Sequence, residues 1–379
     1  MAENAGILMG DHERVTYGQT ITVEVAKESF FRPFQGASEN SIIRNNLETT
    51  PAKKGAVSVI PLLVPLEGEG VQGNTDFAAN QERLTYLAQG VPFYLYGHSV
   101  ISPDERIEAR TIETSRKNAK EALVNWITDR TDRLWITELS RDCTNIVAAS
   151  NTNGVYLAND TTSITSNDVM TTAVIDELVR RASLGIDGNG DPHPPIKPIK
   201  AKVHETEAGI PIWERLYVLL LGTHSALQLK NDPIWLDAQK SALPRSVDHP
   251  IFSGVMGKYN GVVVIDWASW SKRGAGVVNS STKFHKADGV TIDFENYGGS
   301  GSTETEVNLF LGATAGLFPQ EESFKYYEEF RDMGRKVEFG IDRGIGISKT
   351  RFIGSNDREK NSEYHDKDYG VIAAVVAKK

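Results

Sequence analysis

Asp187, Asn189 and Asp191 occupy the first three ligand positions of a calcium-binding loop. Pro192 stands where such a loop needs glycine to turn, and Pro198 stands at the place of the bidentate glutamate, so no calcium site is expected. His204-Glu205 lacks the second histidine of a zinc-protease helix. The eight histidines are scattered, and His193 and His249, each beside a proline, read as solvated loop residues. Gly254-Val255-Met256-Gly257-Lys258-Tyr259 lacks the spacing and the final Ser or Thr of a phosphate loop, and Gly344-Ile345-Gly346 leads to Lys349 where a dinucleotide fingerprint needs glycine. No G-x-S-x-G elbow is present. Cys143, close to Arg141, reads as a structural cysteine at a helix end. Glu328 and Glu329 are neighbours on an expected helix and read as a solvated acidic face. Tryptophans 126, 135, 213, 235, 267 and 270 mostly sit in helix or strand patterns and read as core. No catalytic, cofactor-binding or metal-binding residue is assigned, and no cofactor is expected.

Composition narrows the field further. The 379 residues carry 41 Lys and Arg against 50 Asp and Glu, a net charge of −9, which argues against a phosphate-neutralising nucleic-acid binder. No apolar run approaches the ~18 residues of a membrane helix, so no membrane partner is expected. The start, MAENAGILMGDHER, shows no basic region, apolar core and cleavage site, and no secretory leader is expected. One cysteine excludes an internal disulfide and a multi-cysteine metal site. A reducing cytoplasm is the expected place of synthesis.

The elements that would carry any function are unevenly spread. Residues 1–56 show one alternating run, Ile21 to Val25, expected as a strand, and an aromatic cluster, Phe30, Phe31 and Phe34, with no evident local core. This segment reads as a frayed terminus or as an arm that orders against another surface. Residues 57–101 read as a long hairpin. Its arms, Val57–Leu66 and Arg83–Ile101, are apolar, and its tip is Glu67-Gly68-Glu69-Gly70-Val71-Gln72-Gly73-Asn74. A two-stranded ribbon is marginal alone, so it needs a partner surface in its own chain or in another.

Ser102-Pro103-Asp104-Glu105 predicts a capped helix start. Ile112, Ala119, Leu123, Trp126, Ile127 and Leu134 then mark one face of a helix about 38 residues, or roughly 57 Å, long. A shorter helix is expected over Asp168–Ala182. The runs Leu216–Leu221, Val262–Ile265 and Val307–Leu311 predict strands covered on both faces. A Gly/Ser-rich excursion separates the last two, and Phe339–Phe352 and Val371–Val376 close the chain as strands.

This order of parts resembles the tailed-bacteriophage major capsid proteins with the Hong Kong 97 fold, and more narrowly the capsid family of the N-four-like phages. Ile60-Pro61-Leu62-Leu63-Val64-Pro65-Leu66-Glu67-Gly68-Glu69-Gly70-Val71 is similar to that family's hairpin, and Glu121-Ala122-Leu123-Val124-Asn125-Trp126 to its long helix. Trp235–Lys240, Pro244-Arg245 and Tyr259–Val263 resemble its middle region. Leu311-Gly312-Ala313, Lys349–Phe352 and Asp368–Ile372 resemble its C-terminal part. The likeness covers about residues 50–379, and the stretch 271–306 has no counterpart in it.

The resemblance implies an α+β fold. It has an N-terminal arm (1–56), an extended β-hairpin loop (57–101), a peripheral domain with a spine helix (102–145), an α/β axial domain (146–336) and C-terminal strands returning to the peripheral domain (337–379). It implies a structural protein whose partner is itself, in hexameric and pentameric capsomers of an icosahedral head around double-stranded DNA, held without sequence-specific contacts. Portal and scaffolding or decoration proteins are the further partners implied, with assembly in host cytoplasm and residence in the virion. Phe30, Phe31, Phe34, Glu67, Gly68, Glu69, Gly70, Gly73 and Asn74 are the candidates for inter-subunit contact. The alternative is a soluble enzyme or ligand-binding protein of unrecognised α/β class.

Overall fold

Tyr17, Ile21 and Val25 recur every fourth residue, and the segment Asp11–Glu28 is a helix, α1. The expected strand at Ile21–Val25 is therefore corrected. The alternation of β-branched residues is real, but Ile21 is fully buried between a second helix and a sheet, and that packing decides the conformation. Gly18 sets the distance of approach, because a Cβ there would lie 2.1 Å from the carbonyl oxygen of Phe324.

In this computed structural model the described residues are 8–48, 57–64, 66, 68, 70–73, 81–102, 109–149, 161–205, 211–240, 255–266, 277–278, 283–285, 291–293, 303–334 and 336–378. After α1 come β1 (Gln35–Gly36), β2 (Ile43–Glu48), β3 (Val57–Leu63), β4 (Tyr86–Pro92), β5 (Tyr94–Ile101), α2 (Ala109–Ser140) and β6 (Ile146–Ala148). The middle holds α3 (Thr172–Leu184), β7 (Ile199–Glu205), β8 (Pro211–Leu221), α4 (Thr223–Lys230), α5 (Pro233–Lys240), β9 (Val255–Tyr259) and β10 (Val262–Asp266). Then follow β11 (Val277–Val278), β12 (Lys283–His285), β13 (Thr291–Asp293), β14 (Thr305–Leu311), β15 (Gly316–Glu321), β16 (Lys325–Arg331), β17 (Lys336–Ile345), β18 (Ser348–Lys349) and β19 (Val371–Ala377).

Two sheets organise these elements. The first has the order β1-β2-β15-β17-β16, with β18 on β15 and β5 on the other edge of β17. Tyr326, Val337, Phe339 and Ile341 from this sheet, with Phe324 from the β15–β16 turn, meet Ile21 of α1 and Ala119, Leu123, Val124 and Ile127 of α2. The second runs β6-β19-β14-β8-β10-β9, with β7 on β8 and β11 on β14. Its central strands are buried on both sides, as their apolar runs predict, although β14 also buries Glu306 and Asn308. Val218, Leu220, Leu309, Leu311 and Val375 pack with Trp135 and Leu139 of α2 on one side, while Leu219, Leu221, Phe310, Val262 and Val264 pack with Val174, Ile175 and Leu178 of α3 on the other. The helix α2 thus joins both cores, its first half against one sheet and its last turns against the other. Gly185, with φ of 65°, ends α3 in a left-handed cap.

Several expectations need correction. The C-terminal strands divide between the sheets: β17 lies in the first, but β19 is central in the second, between β6 and β14. The segment 146–336 divides as well, since β15 and β16 belong to the first sheet. Alternation within a strand cannot say which sheet a strand joins, because each sheet buries an apolar face. The second hairpin arm also splits. Tyr86–Pro92 pairs with β3, and Tyr94–Ile101 leaves the hairpin to pair with β17. The capping segment after Ser102 lies outside the described residues, and Ser102 itself donates its N–H to Val337 O. Among the described residues no helix is long and apolar enough to cross a membrane.

Candidate inter-subunit surface

The hairpin β3–β4 has two unlike faces, and its register separates them. Val57 pairs with Pro92, Val59 with Gly90, Pro61 with Ala88 and Leu63 with Tyr86. Alternate side chains share a face. These eight residues form the outer one; none is charged, and the Tyr86 hydroxyl is its one polar side-chain group. Most are solvent-exposed: Val57 at 55%, Val59 at 64%, Leu63 at 50% and Tyr86 at 53%. Ile353, joined to Ala88 by a pair of backbone hydrogen bonds, continues the apolar row at 52% exposure. Leu84, in phase with Tyr86, is exposed as well, and so is Leu66.

The inner face is fastened to the same chain. Ile60 and Val91 pack with Leu317, and Leu87 and Val64 with Phe352 and Tyr369. Gln89, buried at the centre, donates from Nε2 to Lys349 O at 2.6 Å and accepts at Oε1 from Arg351 N–H at 2.8 Å. Gly346 lets the hairpin root come close, since a Cβ there would lie 2.9 Å from Pro92 O. At the tip, Gly70 and Gly73 hold φ of +74° and +73° with nothing near the missing side chain, so the left-handed backbone alone requires glycine there. Gly68 is exposed, while Glu67, Glu69 and Asn74 lie outside the described residues.

The aromatic cluster is placed otherwise than expected. Phe31 is fully buried in its own chain, 6.1 Å from the Trp135 ring and within the core shared with Phe318. Phe30 and Phe34 are half-buried, each edge-on to Phe31. The expectation that these aromatics find burial only between chains is corrected for Phe31, which its own chain encloses. The core that receives them comes from α2 and β15, far away in sequence, and no local pattern announces it.

Asp132 of α2 holds the same segment. Its carboxylate accepts the Ser29 hydroxyl at 2.8 Å and the Phe30 N–H at 3.1 Å. Burial raises its pKa from 3.8 to about 6, against the opposing pull of bonds from Ser29, Phe30 and Phe31. Near the other end of the arm, Glu328 is wholly buried and pairs with Arg116 at 2.9 Å. It lies on strand β16, which corrects the expected helix with a solvated acidic face. Likewise His193 is buried, with Nε2 3.0 Å from Thr144 Oγ1, and burial lowers its pKa. The Asp187 carboxylate closes its own loop by accepting the N–H groups of Asn189 and Asp191. Among the described residues no group of His, Cys, Asp and Glu is arranged to hold a metal ion. Trp135 and Trp235 are core, Trp126 stacks on His98, Trp213 is exposed, and Trp267 and Trp270 lie outside the described residues.

A family of phage capsid proteins matches residues 9–378. The chain belongs to that family. It is 27% identical over 331 residues to the major structural protein ORF14 of Helicobacter pylori bacteriophage KHP30, covering 82% of this chain and 81% of that protein. It is 24% identical over 386 residues to the major capsid protein of Pseudomonas phage KPP25, covering 92% and 91%. Among solved structures, the head of Helicobacter pylori bacteriophage KHP40 superposes with a TM-score of 0.70 at 23% identity, over 93% of this chain and 91% of that one. The capsid of Ralstonia phage GP4 gives 0.63 at 21%, over 93% and 92%. The fold is the α+β Hong Kong 97 type. The protein is a structural, non-enzymatic major capsid protein of a bacteriophage, and it associates with itself in the virion.

Proposed function

We propose that this capsid protein closes an icosahedral head from hexameric and pentameric capsomers, and that the outer face of the β3–β4 hairpin is completed by a neighbouring copy. The eight-residue apolar face with one side fastened and the other bare is the observation that carries this reading. Full burial of a Val, Leu or aromatic side chain is worth about 1.5–3 kcal/mol, so a few such contacts per subunit suffice when repeated around a ring. The fastened root fixes the direction of the hairpin, and the glycines of the tip leave its end adaptable between nonequivalent positions.

In this reading the first sheet with α1 and the first half of α2 is the peripheral domain, and the second sheet with α3–α5 is the axial domain. Gly68, Gly70 and Gly73, with Glu67, Glu69 and Asn74, form the tip that touches the neighbour. Phe30 and Phe34 contribute at most the edge they leave exposed. The shell encloses double-stranded DNA without reading its sequence, in keeping with a net charge of −9. Portal and scaffolding or decoration proteins complete the head, and assembly takes place in host cytoplasm. Deletion of Glu67–Asn74 tests the reading. The purified variant keeps its circular dichroism spectrum and fails to close shells in electron micrographs, whereas normal shells would reject the role of the tip.

A further inference from the structure

We propose that the cavity between α1, α2 and the first sheet binds a small oxyanion of the phosphate class, held by Arg343 from β17 and by Arg32 from the arm. The cavity measures about 220 Å³, and Arg32, Asn45, Gln320 and Arg343 all line it.

Arg343 is only 7% exposed, a depth at which arginine normally has a carboxylate partner. Here no carboxylate pairs with it directly among the described residues. Its Nε and Nη2 donate to the carbonyl of Glu321, and Nη2 also reaches that of Glu322. Nη1 makes no hydrogen bond among the described residues, and the Phe324 ring lies 5.0 Å from the guanidinium carbon. Carbonyl dipoles offset the positive charge only in part, and the buried Glu321 carboxylate acts on it without an ion-pair contact.

Arg32 adds a second cation with no ion pair among the described residues, its Nη1 merely 3.4 Å from Gln35 Oε1. The two guanidiniums feel each other. Burial and the charge of Arg32 pull the Arg343 pKa down to about 10, while Glu321 opposes them. The Glu321 carboxylate accepts the Gly344 N–H at 3.0 Å, and Glu322 is exposed at the mouth. Asn45 accepts from Gln320 Nε2 at 2.8 Å through its Oδ1, so its own amide hydrogens remain available.

Three donors thus come from three elements, β17, the arm and β2. A planar carboxylate presents two oxygens in one plane, whereas a tetrahedral oxyanion offers an acceptor to each donor at once. The bound anion would tie the arm to the sheet.

The test titrates inorganic phosphate into the purified full-length chain, followed by phosphorus NMR line width and by melting temperature, against sodium chloride at equal ionic strength and against acetate. The wild type broadens the phosphate resonance and melts higher in phosphate than in chloride. Arg32→Gln, at an exposed position that folding tolerates, weakens phosphate binding roughly tenfold, the loss expected for one charge-assisted contact. Arg343→Lys, which keeps the charge but not the fork, weakens it as well. Equal effects of phosphate and chloride, or unchanged affinity in Arg32→Gln, would overturn the site. Acetate binding as tightly as phosphate would overturn its tetrahedral preference.

Discussion

The hydroxyl of Ser29 donates to the enclosed carboxylate of Asp132 at 2.8 Å, joining the end of the arm helix to the middle of α2 across 103 residues of sequence. Burial makes the charged form of Asp132 costly, and its folded pKa of about 6 stands above the ordinary 3.8. The folded chain therefore binds this proton more tightly than the unfolded chain. The stabilisation from protonation is complete below about 3.8 and is lost as pH rises through about 6. A shift of this size is worth about 3 kcal/mol at most. Asp132→Asn removes the titration, so the melting temperature of the wild type relative to this variant should rise as pH falls from neutral toward 4. A difference independent of pH would contradict the assignment.

Phe31 and Val59 separate core from surface. Phe31→Ala empties a fully buried site beside Trp135 and should cost the isolated chain about 3–5 kcal/mol in urea unfolding. Val59→Ala, at 64% exposure, should change it by no more than about 0.5 kcal/mol. Similar losses for both would mean that the arm is not packed as described.

Arg116 and Glu328 form the enclosed pair between α2 and β16. Glu328→Ala strands the guanidinium and should cost about 3–5 kcal/mol, whereas replacing both partners by methionine should cost far less. Denaturant unfolding of the single and double variants decides this. Equal costs would show that the pair contributes through packing alone.

Much of the architecture was legible in the residues themselves. The long helix appears as Ala119, Leu123, Ile127 and Leu134 on one face, and the doubly covered strands as apolar runs, with Asn308 the polar residue inside one of them. The hairpin shows in its apolar arms around a glycine-rich tip. What escaped depended on distant partners. Ile21–Val25 alternates like a strand but is helical because α2 and β16 enclose it. Glu328 and His193 looked solvated, since nothing near them in sequence reveals that Arg116 and Thr144 stand opposite. The assembly surface was half legible. Its apolar content was plain, but which side faces outward depends on the pairing of Val57 with Pro92 and on Gln89 fastening the other face.

The outer hairpin face carries the account. Val59→Asp, Leu63→Asp and Tyr86→Asp together place charges on that face without touching the inner one. Negative-stain electron microscopy of the concentrated triple variant beside the wild type is the most direct measurement. Closed shells from the wild type and only dispersed, folded subunits from the variant are predicted, and closed shells from both would contradict it.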